Sequence, residues 1–151
     1  MGALYEIGVS TASPSVLDNA YVALWNTAGS RRIVVREIGL THHVAGNATN
    51  LSLARISARG TATTSTSGER QDPGDVGGTT FGQVDTAWSV QPTKSGNYLR
   101  RYNGRAAIAG SVFWQWWVGP GLIVPAGAGV AVLLAVAIAS NLHEAYVIWE
   151  E

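Results

Sequence analysis

The residues of this 151-residue chain whose types invite chemistry are three histidines and a scatter of carboxylates. His42 and His43 are adjacent, with His143 and Glu144 as conceivable partners far along the chain. Neighbouring residues on a strand face opposite sides of a sheet, so His42 and His43 cannot easily bind one ion together. The spaced His-x-His pair, followed by Glu and His, that metal-dependent β-barrels of this size use is also missing. These residues therefore read as ordinary strand-end histidines. Glu69, Asp72 and Asp75 in GERQDPGDVGG could offer oxygen ligands to calcium, but the stretch does not follow an EF-hand loop and Pro73 interrupts it, so it reads as a solvated acidic loop. No carboxylate pair is marked out for acid–base work, no G-x-S-x-G elbow carries a nucleophile, and no glycine-rich segment has a phosphate-loop pattern. The expectation is a protein that is not an enzyme and holds no cofactor or metal.

Recognition is the better candidate. Arginine outnumbers lysine nine to one, and Arg31-Arg32 and Arg100-Arg101 are the paired basic residues. A guanidinium makes planar two-point hydrogen bonds and sheds its hydration readily, which suits a protein interface, although a GC-rich genome would also favour arginine. FWQWWV, residues 113–118, concentrates three of the six tryptophans. Exposed, these rings could stack on sugars; flanked by apolar residues, they fit a core or a subunit contact better. The residues expected at an interface are Arg31, Arg32, Phe81, Trp88, Arg100, Arg101 and Trp117. Asn47 and Asn50 head N-x-[ST] triplets, which matter only on a secretory route.

Composition narrows the function further. Ten basic and ten acidic side chains cancel, which speaks against a nucleic-acid binder that gains affinity by neutralising phosphates. Charged residues make up only 13% of the chain, so solubility rests on Ser, Thr, Asn, Gln and Gly, or other subunits cover part of the surface. There is no cysteine and hence no disulfide framework or thiolate chemistry. The opening MGALYEIGVSTAS has no basic region leading into an apolar one and reads as a first strand.

The elements that must position these residues read as strands throughout. In GLIVPAGAGVAVLLAVAIAS (121–140) larger residues recur at every second position from Val130, with Ala131, Leu133 and further alanines between them. That period of two, broken upstream by Pro120, Pro125 and glycines, indicates a strand covered on both faces and excludes a membrane helix. RIVVREIGLTHHV changes phase at Arg36: Ile33 and Val35 share one side, Ile38 and Leu40 the other, which predicts a bulge or bend. NYLRRYNGR reads as a hairpin turning at Asn103-Gly104. The stretch 68–96 is polar and Gly-rich and is expected to form a long loop or arm, with VDTAWSV as a short strand within it. Some eight to ten strands with Gly, Pro and Asn turns predict one all-β domain over 1–151, an antiparallel sandwich of jelly-roll type.

ALYEI at the start, VALWN, the basic strand RRIVVREIGL, and GLIVPAGAGVAV leading into a closing aromatic strand give a layout that resembles the capsid decoration, or cement, proteins of tailed bacteriophages. The resemblance covers most of the chain. It implies a homotrimer on the capsid exterior that clamps neighbouring copies of the major capsid protein, made in the bacterial cytoplasm, with no nucleic-acid or membrane partner. The alternative is a receptor- or carbohydrate-binding knob of a tail fibre. Neither reading carries catalytic residues.

Overall fold

The structure, a computed structural model, describes residues 2–12, 14–42, 49–72, 80–104, 110–135 and 142–151, with the backbone alone described at 42, 49, 104 and 142. Its strands are β1 (Leu4–Ala12), β2 (Ala20–Asn26), β3 (Ile33–His42), β4 (Thr49–Ala58), β5 (Thr61–Ser67), β6 (Glu69–Arg70), β7 (Gly82–Val90), β8 (Thr93–Gly104), β9 (Ser111–Gln115), β10 (Leu122–Val124), β11 (Gly129–Leu134) and β12 (Leu142–Glu150). They form two antiparallel sheets. One runs β10-β3-β12-β1-β6, with β9 also pairing β3; the other runs β5-β7-β2-β11-β4-β8. With β9 and β10 taken as one interrupted strand and β5 to β7 set aside, the pairs β1 with β12, β2 with β11, β3 with β9 and β10, and β4 with β8 are those of a jelly roll. The segment from β5 to β7 is an insertion between β4 and β8. It widens both sheets, placing β7 beside β2 and β6 beside β1.

Alternation builds the core. Tyr5 of β1, Val22 and Leu24 of β2, Leu51 and Leu53 of β4, Val130, Val132 and Leu134 of β11, and Ala145, Val147 and Trp149 of β12 are buried in one cluster between the sheets. All six residues of β11 are buried, as the both-faces reading requires. Ala131 and Leu133 belong to a second, outward cluster with Ala20, Ala23, Ala54 and Ile56, roofed by Trp25, Trp88 and Tyr98 of the same chain. The small side chains at 20, 23, 54 and 131 leave room for those rings. Further along this apolar run, residues 136–141 lie outside the described residues.

Strand β3 contains the expected bulge. Against β12, Glu37 pairs with Ile148 and Val35 with Trp149, leaving Arg36 as the extra residue. This insertion lets Ile33 and Val35 before it, and Ile38 and Leu40 after it, all enter the core. It also sends Arg36 and Glu37 together to the outer face.

Two expectations change. Asn103-Gly104 does not turn a hairpin: β8 pairs β4, and the next described strand, β9, joins β3 in the other sheet. The chain here crosses between layers. The Gly-rich stretch 68–96 is narrower as an excursion than its composition implies, because β6, β7 and the start of β8 hold most of it within the sheets. Residues 73–79 lie outside the described residues. Entry into β7 is fixed by Glu151, whose Oε1 accepts from Thr80 Oγ1 (2.7 Å), Phe81 N (2.8 Å), Gly82 N (2.8 Å) and Trp149 Nε1 (2.8 Å).

Trp149 is fully buried and stacks on Tyr5 with ring centroids 5.8 Å apart. Its indole occupies the space that a Cβ would need at Gly82 (2.5 Å from Trp149 Nε1) and at Gly68 (2.1 Å from Cη2). With the ring held by Tyr5 and Glu151, it has little room to retreat. Gly82→Ala is therefore expected to destabilise the fold by about 1–3 kcal/mol, the usual cost of overpacking, read as a lower urea midpoint with an unchanged slope.

Candidate interaction site

The outer face of the β3–β12 sheet carries the most distinctive side chains. One row of register partners crosses it as Glu69, Glu6, Ile148, Glu37 and Gln115. The next row runs Gly8, Tyr146, Gly39 and Phe113. Gly39 is required where it stands, because a Cβ there would lie 2.2 Å from Tyr146 Cε1. The Tyr146 ring thus lies across the strand and brings its hydroxyl to the bulge.

Glu37 is the polar centre. Its Oε2 accepts from Gln115 Nε2 (2.9 Å) and Trp117 Nε1 (2.8 Å), while its Oε1 accepts from the Tyr146 hydroxyl. Burial by itself would raise its carboxyl pKa, but the three donors more than offset that and hold the group below its ordinary value. Burial and the same hydrogen bond push the Tyr146 phenol well above its usual value. Beside them Arg36 makes a forked contact to Glu150 Oε2 through Nη2 (2.7 Å) and Nε (3.1 Å).

These bonds satisfy the polar atoms and leave rings facing outward. Phe113 is 52% exposed, Trp117 48% and Val118 95%, and Phe113 lies against Tyr146 with centroids 6.1 Å apart. Around FWQWWV, Val112 and Trp114 are buried and Trp116 packs half-buried against the core, while the opposite face is exposed in the single chain. Sequence reasoning found Trp117 but missed Phe113, Glu37 and Tyr146. The signal was the phase change at Arg36, which already turns Glu37 outward.

The other expected interface residues lie elsewhere. Arg31 and Arg32 are exposed in the loop before β3, with the Arg31 guanidinium 5.5 Å from the ring centre of half-buried Phe81. Trp88 is half-buried over the outward apolar cluster of the second sheet. Arg100 and Arg101 are exposed on the edge strand β8, stacked at 4.7 Å over Trp116 and 4.5 Å over Tyr98. Arg59 and Asp85 form a two-point pair at 2.7 Å that ties the β4–β5 turn to β7. His143 is fully buried edge-on to Tyr21, its backbone in register with His42, while His43 lies outside the described residues. Among the described residues no three His, Asp or Glu side chains gather to hold a metal, and no helix is long and apolar enough to cross a membrane.

Compared with known proteins, the chain matches no family model, no curated protein and no solved structure.

Glu37 is bonded as a carboxylate, so its contribution to stability is fully present above the ordinary carboxyl pKa and is lost as pH falls through its lowered value. Glu37→Gln is expected to cost about 1–2 kcal/mol at neutral pH. The gap in melting temperature between the two proteins should close on acidification below about pH 4, followed by circular dichroism.

Proposed function

We propose that this chain is a structural virion protein that decorates the outside of a tailed-phage capsid as an oligomer and stabilises it by bridging major capsid subunits. One observation carries the reading: Phe113 of β9 and Trp117 and Val118 just after it form an exposed apolar corner, with neighbouring polar groups bonded to one another. Monomeric proteins seldom leave such a corner bare, and aromatic anchors backed by rigid structure are what protein interfaces use. The jelly roll, a fold common in viral shells, and the resemblance in layout support the same reading. Binding that favours the expanded lattice would stabilise it by mass action, and several linked contacts per oligomer would multiply the effect.

A carbohydrate-binding knob is favoured by the exposure of Trp117 beside Gln115 and Glu37. The polar groups argue the other way, since Glu37 already accepts from three neighbours and has little capacity left for sugar hydroxyls.

Purified protein should co-sediment with expanded heads of the phage that encodes it and appear as outer density in electron cryomicroscopy. Trp117→Ala should weaken that binding about tenfold or more, as loss of an interface anchor does. Absence of the chain from heads, together with Trp117-dependent binding on a glycan array, would replace this reading by the second.

A further inference from the structure

The charges of the two sheets are unequal. Strands of the β3–β12 sheet carry Glu6, Glu37, Glu69, Glu144 and Glu150 against Arg36 and Arg70. Strands of the other sheet carry Arg55, Lys94, Arg100 and Arg101 against Asp85 alone, and Asp85 is neutralised by Arg59. A chain of zero formal charge is thus acidic on one layer and basic on the other.

Among the described residues, no cation pairs with Glu6 or Glu69 of the acidic layer. Glu6 and Glu69 are direct cross-strand partners on β1 and β6, both exposed, and like charges so placed repel. Glu6 accepts from Gln71 Nε2 at 2.7 Å, whereas the Glu69 side chain has no hydrogen bond or ion pair within the described residues. Exposed Glu144 accepts from Ser10 Oγ at 2.7 Å on the same face. Between these carboxylates Gly8 leaves a strip with no side chain and open space where a Cβ would be. The basic layer ends in Arg100 and Arg101 on the edge strand β8, next to Leu99, 42% exposed. Their contacts within the described residues are to rings, not to carboxylates. A stacked guanidinium keeps its in-plane N–H donors available for a two-point bond to an incoming carboxylate.

We infer that the Glu6–Glu69 face of one copy is the seat for the Arg100–Arg101 strand of a second copy. The two patches belong to different surfaces of the chain, so the contact can repeat from copy to copy and close into a ring. The seat lies on β1 and β6, whereas Phe113 stands on β9 and Trp117 and Val118 follow it. The inference deepens the oligomeric part of the proposed function but does not need a capsid, so the two fail separately.

The test is self-association of the full chain without phage heads, by sedimentation velocity over a concentration series at low and high salt. Wild type should associate, and more weakly in high salt. Arg100→Glu with Arg101→Glu should reduce association at least tenfold, as should Glu6→Arg with Glu69→Arg; all four side chains are exposed, and thermal melts confirm folding. Combining the four reversals in one chain should restore it. Arg31→Glu with Arg32→Glu should leave it unchanged. A wild type that stays monomeric, or association indifferent to both double reversals, overturns the inference; head binding by a monomer would leave the capsid reading standing.

Discussion

The single extra residue in β3 is the constraint on which the candidate site depends. A strand with strict two-residue alternation could bury Ile33 and Val35, or Ile38 and Leu40, but not all four. Inserting Arg36 opposite the step between Ile148 and Trp149 resolves the conflict. Its consequence is local and chemical: Arg36 and Glu37 emerge side by side on the outer face, one bound to Glu150, the other to Tyr146, Trp117 and Gln115. Core packing and the polar centre of the surface are thus two results of one bulge.

The satisfaction of Glu37 shapes what the surface offers a partner. A buried carboxylate with unused lone pairs would demand a hydrogen-bonding ligand, since leaving it unmet is costly. Here the chain's own indole, amide and phenol meet that demand. What remains outward is the flat area of Phe113 and Trp117, which rewards burial with little directional requirement. Such a surface suits contact with protein more than recognition of hydroxyl groups. The acidic strip of β1 and β6 beside it differs in kind, because among the described residues no cation pairs with Glu6 or Glu69.

The fold was legible because strand order in this chain follows alternation. The period of two from Val130, the turn residues between strands and the phase change at Arg36 each correspond to an observed feature. Layer membership was less legible. NYLRRYNG has hairpin turn chemistry, yet its strand pairs with β4, because pairing is decided by partners distant in sequence. VDTAWSV is readable as a short strand, but its place in a sheet is not, because Asp85 is accommodated there only by burial against Arg59, a residue distant in sequence. The site divides likewise. Trp117 could be picked out by type, while Tyr146 and Glu37 acquire meaning only once Gly39 and the cross-strand register bring them together.

The strands at the rims limit how copies of this molecule can stick to one another. On one side, the partner of β3 is split into two short pieces, β9 and β10, with Gly119, Pro120 and Gly121 between them, and β8 shifts register three times along β4. On the other, β6 has only two residues and β5 shifts register repeatedly along β7. A straight run of unpaired backbone donors and acceptors, the template for fibril growth, is therefore missing from the described rims. Crowding many copies onto a small area would then favour discrete, side-chain-specified complexes over amyloid.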